Sequence, residues 1–96
     1  MKIIWSPQRS DEVLAVSKAG EKLFINGDVF DFSSVVEGDF DEAWIPPSKF
    51  ISSQPRRIAG DLQIVLVLPY REDAKDTARF PDPIVNPPDG ELTLPT

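Results

Sequence analysis

The dipeptide Asn26-Gly27 sits between two apolar runs, Leu23-Phe24-Ile25 and Val29-Phe30-Asp31-Phe32. Asparagine followed by glycine is suited to a type I′ turn, because both central residues of that turn need φ > 0. A two-residue loop there pairs Ile25 with Asp28, Leu23 with Phe30 and Glu21 with Phe32. Ala19-Gly20 is a second, weaker turn signal, since alanine resists positive φ. Read as a loop of the same length, it pairs Lys18 with Glu21, Val16 with Leu23 and Leu14 with Ile25. The two registers agree on one apolar face formed by Leu14, Val16, Leu23, Ile25, Phe30 and Phe32. On the opposite face Lys22 lies across from Asp31, and Lys18 meets Glu21 near the first turn. Such opposite-charge pairs favour the register by roughly 0.2–1 kcal/mol each. A slip of one residue would turn the apolar set to solvent. The stretch is therefore expected to fold as a three-stranded antiparallel meander.

Ninety-six residues suffice for one small domain, and a core of that size is marginal when alone. With no Cys and no His, disulfides and the usual zinc ligand sets are unavailable as staples. The formal charge of −6 opposes binding to phosphate backbones and to anionic membranes. The N-terminal residues lack the apolar stretch of a signal peptide. The run Ile64 to Pro69 is far short of the ~20 residues that span a bilayer. A soluble chain made in the cytoplasm is expected.

The rest of the chain extends the β reading. Lys2–Ser6 reads as a short strand that Pro7 ends. Arg56-Arg57-Ile58 and Leu62–Leu68 flank Ala59-Gly60-Asp61, a second hairpin with Gly60 at positive φ. Leu62, Ile64, Leu66 and Leu68 share one face of that strand, while Val65 and Val67 share the other, as in a sandwich or small barrel. Between the hairpins, residues 33–53 are acidic and irregular, and Pro46-Pro47 forbids a central strand. Such a loop is expected to be functional or ordered by a neighbour. Residues 1–70 thus form the expected β domain, and 71–96 a charged turn followed by an extended arm. Five of the ten prolines lie in the last seventeen residues, which favours a polyproline-like segment with free backbone groups.

Chemistry-bearing motifs are sparse. A Ser-His-Asp triad is impossible without His. Ser17-Lys18 and Ser48-Lys49 are sequence neighbours that point apart on a strand. Asp39, Asp41 and Glu42 do not match the calcium-loop spacing and read as a solvated acidic loop. No catalytic residue, cofactor or metal is expected. Candidate partner-binding residues are easier to name. Phe24 and Val29 fall on the face away from the Leu/Ile/Phe core, either as a second packed layer or as a partner surface. Trp44, like Trp5, is an anchor of core or loop. Arg56 and Arg57 can clamp an acidic segment. Phe80, Ile84, Leu92 and Leu94 are apolar residues spaced along the arm, placed to dock on another chain. A disordered tail and a wrap across the chain's own domain are the other readings of that arm.

Several blocks resemble small proteins encoded near the tail genes of tailed bacteriophages and prophages. They are Ile3-Ile4-Trp5-Ser6-Pro7, the run from Leu23 to Ser33, the run from Arg57 to Pro69, and Arg79-Phe80-Pro81. The shared motifs are hairpin and strand patterns without a catalytic signature. The resemblance implies a non-enzymatic virion component of a tail, baseplate or tail fibre, bound to a larger tail protein. Its alternatives are a non-virion tail-fibre assembly chaperone or a small host-directed inhibitor. Self-association is compatible with each, and neither nucleic acid nor membrane is expected as a partner. A carbohydrate-binding module, resting on Trp5 and Trp44, is a further class.

Overall fold

The computed structural model describes residues 1–38, 40–72 and 79–95. It is all-β, with two four-stranded sheets that do not close into a barrel. The strands are β1 (Lys2–Arg9), β2 (Val16–Ala19), β3 (Lys22–Ile25), β4 (Asp28–Asp31), β5 (Arg56–Ile58), β6 (Asp61–Tyr70), β7 (Ile84–Val85) and β8 (Gly90–Glu91). One sheet has the order β5-β6-β1-β7 and the other β4-β3-β2-β8.

The second sheet contains the expected meander. Around Asn26-Gly27 the pairs are Ile25–Asp28, Leu23–Phe30 and Lys22–Asp31, and Phe32 N–H donates to Glu21 O at 3.0 Å. Asn26 and Gly27 have φ of 50° and 88°, as a type I′ turn requires. Asn26 also ties the meander to the chain before it. Its Oδ1 accepts from Ala15 N–H at 2.7 Å, and its Nδ2 donates to Val13 O at 3.0 Å.

The first hairpin departs from expectation. Val16 pairs with Ile25 and Ala19 with Lys22, so the loop is Gly20-Glu21. Gly20, at φ 61°, occupies the first central position, and Ala19 stays in the strand. The left-handed conformation thus falls on glycine, which bears it without a Cβ clash. Pairing moves by two positions, so every side chain keeps its face. The expected Lys18–Glu21 pair is lost: Lys18 Nζ instead bonds Asp89 at 2.7 Å, and Glu21 takes Arg57 at 3.0 Å.

The first sheet was only half anticipated. β1 runs parallel to β6 over its whole length, Lys2 opposite Gln63 through Arg9 opposite Tyr70. The strand passes through Pro7 instead of ending there. β7 covers only Lys2 and Ile3, so the other side of β1 is open at Pro7, where a missing donor costs little. β5 and β6 join through Ala59-Gly60, both at positive φ (51° and 82°).

Alternation places Ile3, Trp5, Leu62, Ile64, Leu66 and Leu68 from one sheet against Val16, Leu23, Ile25 and Phe32 of the other. Phe50 and Ile51, from the long connection, complete that core. Ile51 bridges Leu66, and Val67 N–H donates to Phe50 O at 2.7 Å. The outer face of β6, including Val65 and Val67, is half-buried. Trp5 Nε1 is buried without a partner among the described residues, a defect that costs about 1–3 kcal/mol.

The C-terminal segment lies along the chain's own domain, the wrap among the readings of the arm. Ile84–Val85 adds to the edge of β1 and Gly90–Glu91 to the edge of β2. Leu92 is buried in the core, and Ile84 and Leu94 pack against it. Two short pairings, one on each sheet, make this segment a strap along one side of the sandwich. Most of the charged turn expected after residue 70 lies outside the described residues, as does Asp39.

Candidate docking face on the meander edge

β3 alternates its hydrogen bonds between its two neighbours. Asn26 N–H donates to Ala15 O, which turns Lys22, Phe24 and Asn26 toward β2. Phe32 N–H donates to Glu21 O, so Glu21, Leu23 and Ile25 bond toward β4. In β4 the residues that answer β3 are therefore Asp28 and Phe30. Val29 and Asp31 direct their backbone N–H and C=O groups outward, because bonding residues alternate along a strand. β4 is the end strand of its sheet. Those outward groups make no backbone hydrogen bond among the described residues.

Phe24 and Val29 stand directly opposite each other on the outer face of the meander. They are 38% and 55% exposed, and side chains so paired form a continuous apolar step. Beyond β4 the connection from Phe32 to Pro55 arches back, leaving a groove of about 440 Å³. Phe30, Val35, Trp44, Pro47 and Pro55 supply its apolar wall, with Val29 and Asp31 at the strand side. Trp44 is half-buried and packs on the core, so its ring is held in place instead of swinging free. Its loop is pinned by Ala43 N–H donating to Asp41 Oδ1 at 2.9 Å and by Asp41 N–H donating to Gln54 Oε1 at 3.3 Å.

Carboxylates lie on this edge. Asp28 and Asp31 are on β4, and Asp31 lines the groove. Ser33 N–H donates to Asp31 at 2.9 Å. That bond, helped by the Ser33 hydroxyl and by Lys22, holds the Asp31 carboxyl below its ordinary value. Asp31 therefore keeps its negative charge throughout the neutral range.

The other candidates are distributed differently. Arg57 is spent within the chain: Nε donates to Val35 O at 2.7 Å, and Nη1 reaches Glu21 and Gly60 O. The Glu21 hydrogen bond holds its guanidinium pKa above the usual value. Arg56 is exposed on the edge strand β5. Phe80 is 78% exposed, far along the chain from the meander. Ile84, Leu92 and Leu94 face inward. Among the described candidates, Val29 lies opposite Phe24 on the outer face and lines the groove together with Trp44.

In both Ser–Lys pairs the lysine is engaged by a carboxylate elsewhere, Lys18 by Asp89 and Lys49 by Glu12, while Ser48 Oγ accepts from Phe50 N–H. Among the described residues no group of three His, Cys, Asp or Glu is placed to hold a metal. The sequence reading missed the groove partners Phe30, Val35, Pro47 and Pro55. The usable signal was Pro46-Pro47 beside a tryptophan, a rigid apolar loop next to an edge.

Comparison with protein-family models, with curated proteins and with solved structures found no match.

Proposed function

We propose that the chain is a non-enzymatic interaction module that docks on a larger protein through the outer face and free edge of its meander. The observation that carries this reading is the exposed Phe24–Val29 pair beside a strand edge with free backbone groups. A lone edge strand invites pairing with another chain, and an apolar step beside it adds area that water disfavours. The groove against Trp44 runs along the same edge, on the face of Phe30. The resemblance to small proteins encoded near phage tail genes favours a tail, baseplate or fibre protein as the partner. On this reading the chain is a virion component.

The test places a photoreactive phenylalanine analogue at position 24 in the full chain, expressed where its particles assemble. A control carries the analogue at Ile4, on the far sheet. Cross-linking from position 24 alone to one larger protein, recovered in purified particles by mass spectrometry, is the expected result. Cross-links from both positions, or from neither, contradict the docking face. A position-24 cross-link with the chain absent from particles makes it an assembly factor instead.

A further inference from the structure

Resting on that docking reading, we infer that the partner binds by strand addition. An extended segment pairs antiparallel with β4 (Asp28–Asp31) and presents, from its N-terminal side, a basic residue followed by two apolar residues. Each position follows from the strand it would meet. Val29 and Asp31 turn their backbone donors and acceptors outward, so they form the hydrogen-bonded pairs with the incoming chain. A residue opposite Val29 extends the apolar row that Phe24 and Val29 begin on the outer face. The residue opposite Phe30 points to the other face and enters the groove, where Phe30, Val35 and Trp44 receive an apolar side chain. The residue opposite Asp31 lies beside a carboxylate that stays ionised, and a lysine or arginine satisfies it.

Charge decides between this occupant and a second copy of the chain. Two copies joined through the same short strand would gather two Asp28 and two Asp31 carboxylates into one four-residue ladder. Each copy also brings a net charge of −6. Like charges across a ladder are destabilising. A basic segment converts those repulsions into attractions and gains association rate at low salt.

The test uses the full chain and a capped peptide, acetyl-Thr-Thr-Lys-Leu-Val-Thr-Thr-amide. A second peptide carries glutamate in place of lysine. Binding is followed by the NMR signals and hydrogen exchange of the Val29 and Asp31 amides. Protection of both amides by the lysine peptide is expected, with affinity at least about tenfold weaker for the glutamate peptide. Val29→Pro removes an outward donor, which an edge strand tolerates, and should abolish binding. Val29→Thr keeps the donor and should retain it. Should Val29→Pro fail to fold, Asp31→Lys reverses the peptide preference if the inference is right.

Side-chain shifts at Phe24 and Trp44 without protection of the two amides would overturn strand addition while leaving the docking face standing. Absence of lysine-peptide binding, with position-24 cross-linking intact, overturns it in the same way. Failure of both experiments removes the docking reading as well.

Discussion

Asp89 Oδ1 accepts hydrogen bonds from Lys18 Nζ at 2.7 Å and from the backbone N–H of Gly20 at 3.0 Å. One carboxylate oxygen thereby fastens the C-terminal strap to the first turn of the meander. Lys18 and then the Gly20 amide hold the Asp89 carboxyl below its usual value of 3.8. A carboxyl whose pKa is lowered on folding contributes stability above its unfolded value. That contribution is lost as pH falls through the lowered, folded value. Asp31 has the same sign, through Ser33. Urea midpoints should therefore hold steady near neutrality and fall as the pH drops below about 4. Asp89→Asn keeps an acceptor without the charge, so its acid-induced drop should be shallower. An acid response identical to the parent chain would show that the strap is not held by this carboxylate.

Ala59 adopts φ 51° in the tight turn between β5 and β6. An L-residue with a Cβ is strained there, by about 1–2 kcal/mol. Glu37 accepts from Gly60 N–H at 2.5 Å and Arg57 donates to Gly60 O at 3.2 Å, which holds the loop in place despite the strain. Ala59→Asn should raise stability by about 0.5–1 kcal/mol, since asparagine suits the first position of a type I′ turn. Ala59→Val should lower it. A reversed order of the two in thermal unfolding would mean that the left-handed assignment is mistaken.

Leu23 and Phe30 face each other across the meander but differ in burial. Leu23 is fully buried, whereas Phe30 is half-buried at the groove. Leu23→Ala should cost about 2–5 kcal/mol. Phe30→Ala should cost less, about 1–2 kcal/mol, because one side of its ring already meets the groove. Chemical denaturation of the two variants checks the order. Equal losses would place Phe30 in the core and leave no groove for a partner's side chain.

The meander was legible because its two periodic signals reinforce each other. Alternation at Leu23, Ile25, Phe30 and Phe32 named the buried face, and Asn26-Gly27 supplied the register. Phe24 and Val29 followed as the outward residues. The first hairpin's pairing was misjudged by two positions, since two adjacent two-residue loops, Ala19-Gly20 and Gly20-Glu21, preserve the same faces. Only the backbone preference of Gly20 over Ala19 separates them. The parallel pairing of β1 with β6 was not readable, because a long connection carries no local turn signal. The strap was hidden for another reason. β7 and β8 are two residues each, too short for periodicity, and the prolines around them suggested unpaired backbone. The groove escaped because Val35, Trp44, Pro47 and Pro55 come from an aperiodic loop.

The packing of Ile84, Leu92 and Leu94 on the chain's own core is what moves the proposed docking element from the arm to the meander edge. The deciding comparison is between the full chain and one ending at Arg79, followed by cooperative unfolding in urea and by partner association. Truncation removes both strap pairings and the buried Leu92. The loss of one buried leucine alone is worth about 2–5 kcal/mol, against a total stability of about 5–15 kcal/mol for a typical domain. The shortened chain should therefore unfold at a much lower urea concentration or fail to fold. An unchanged midpoint together with lost partner binding would contradict this account and return residues 80–96 to the role of a docking arm.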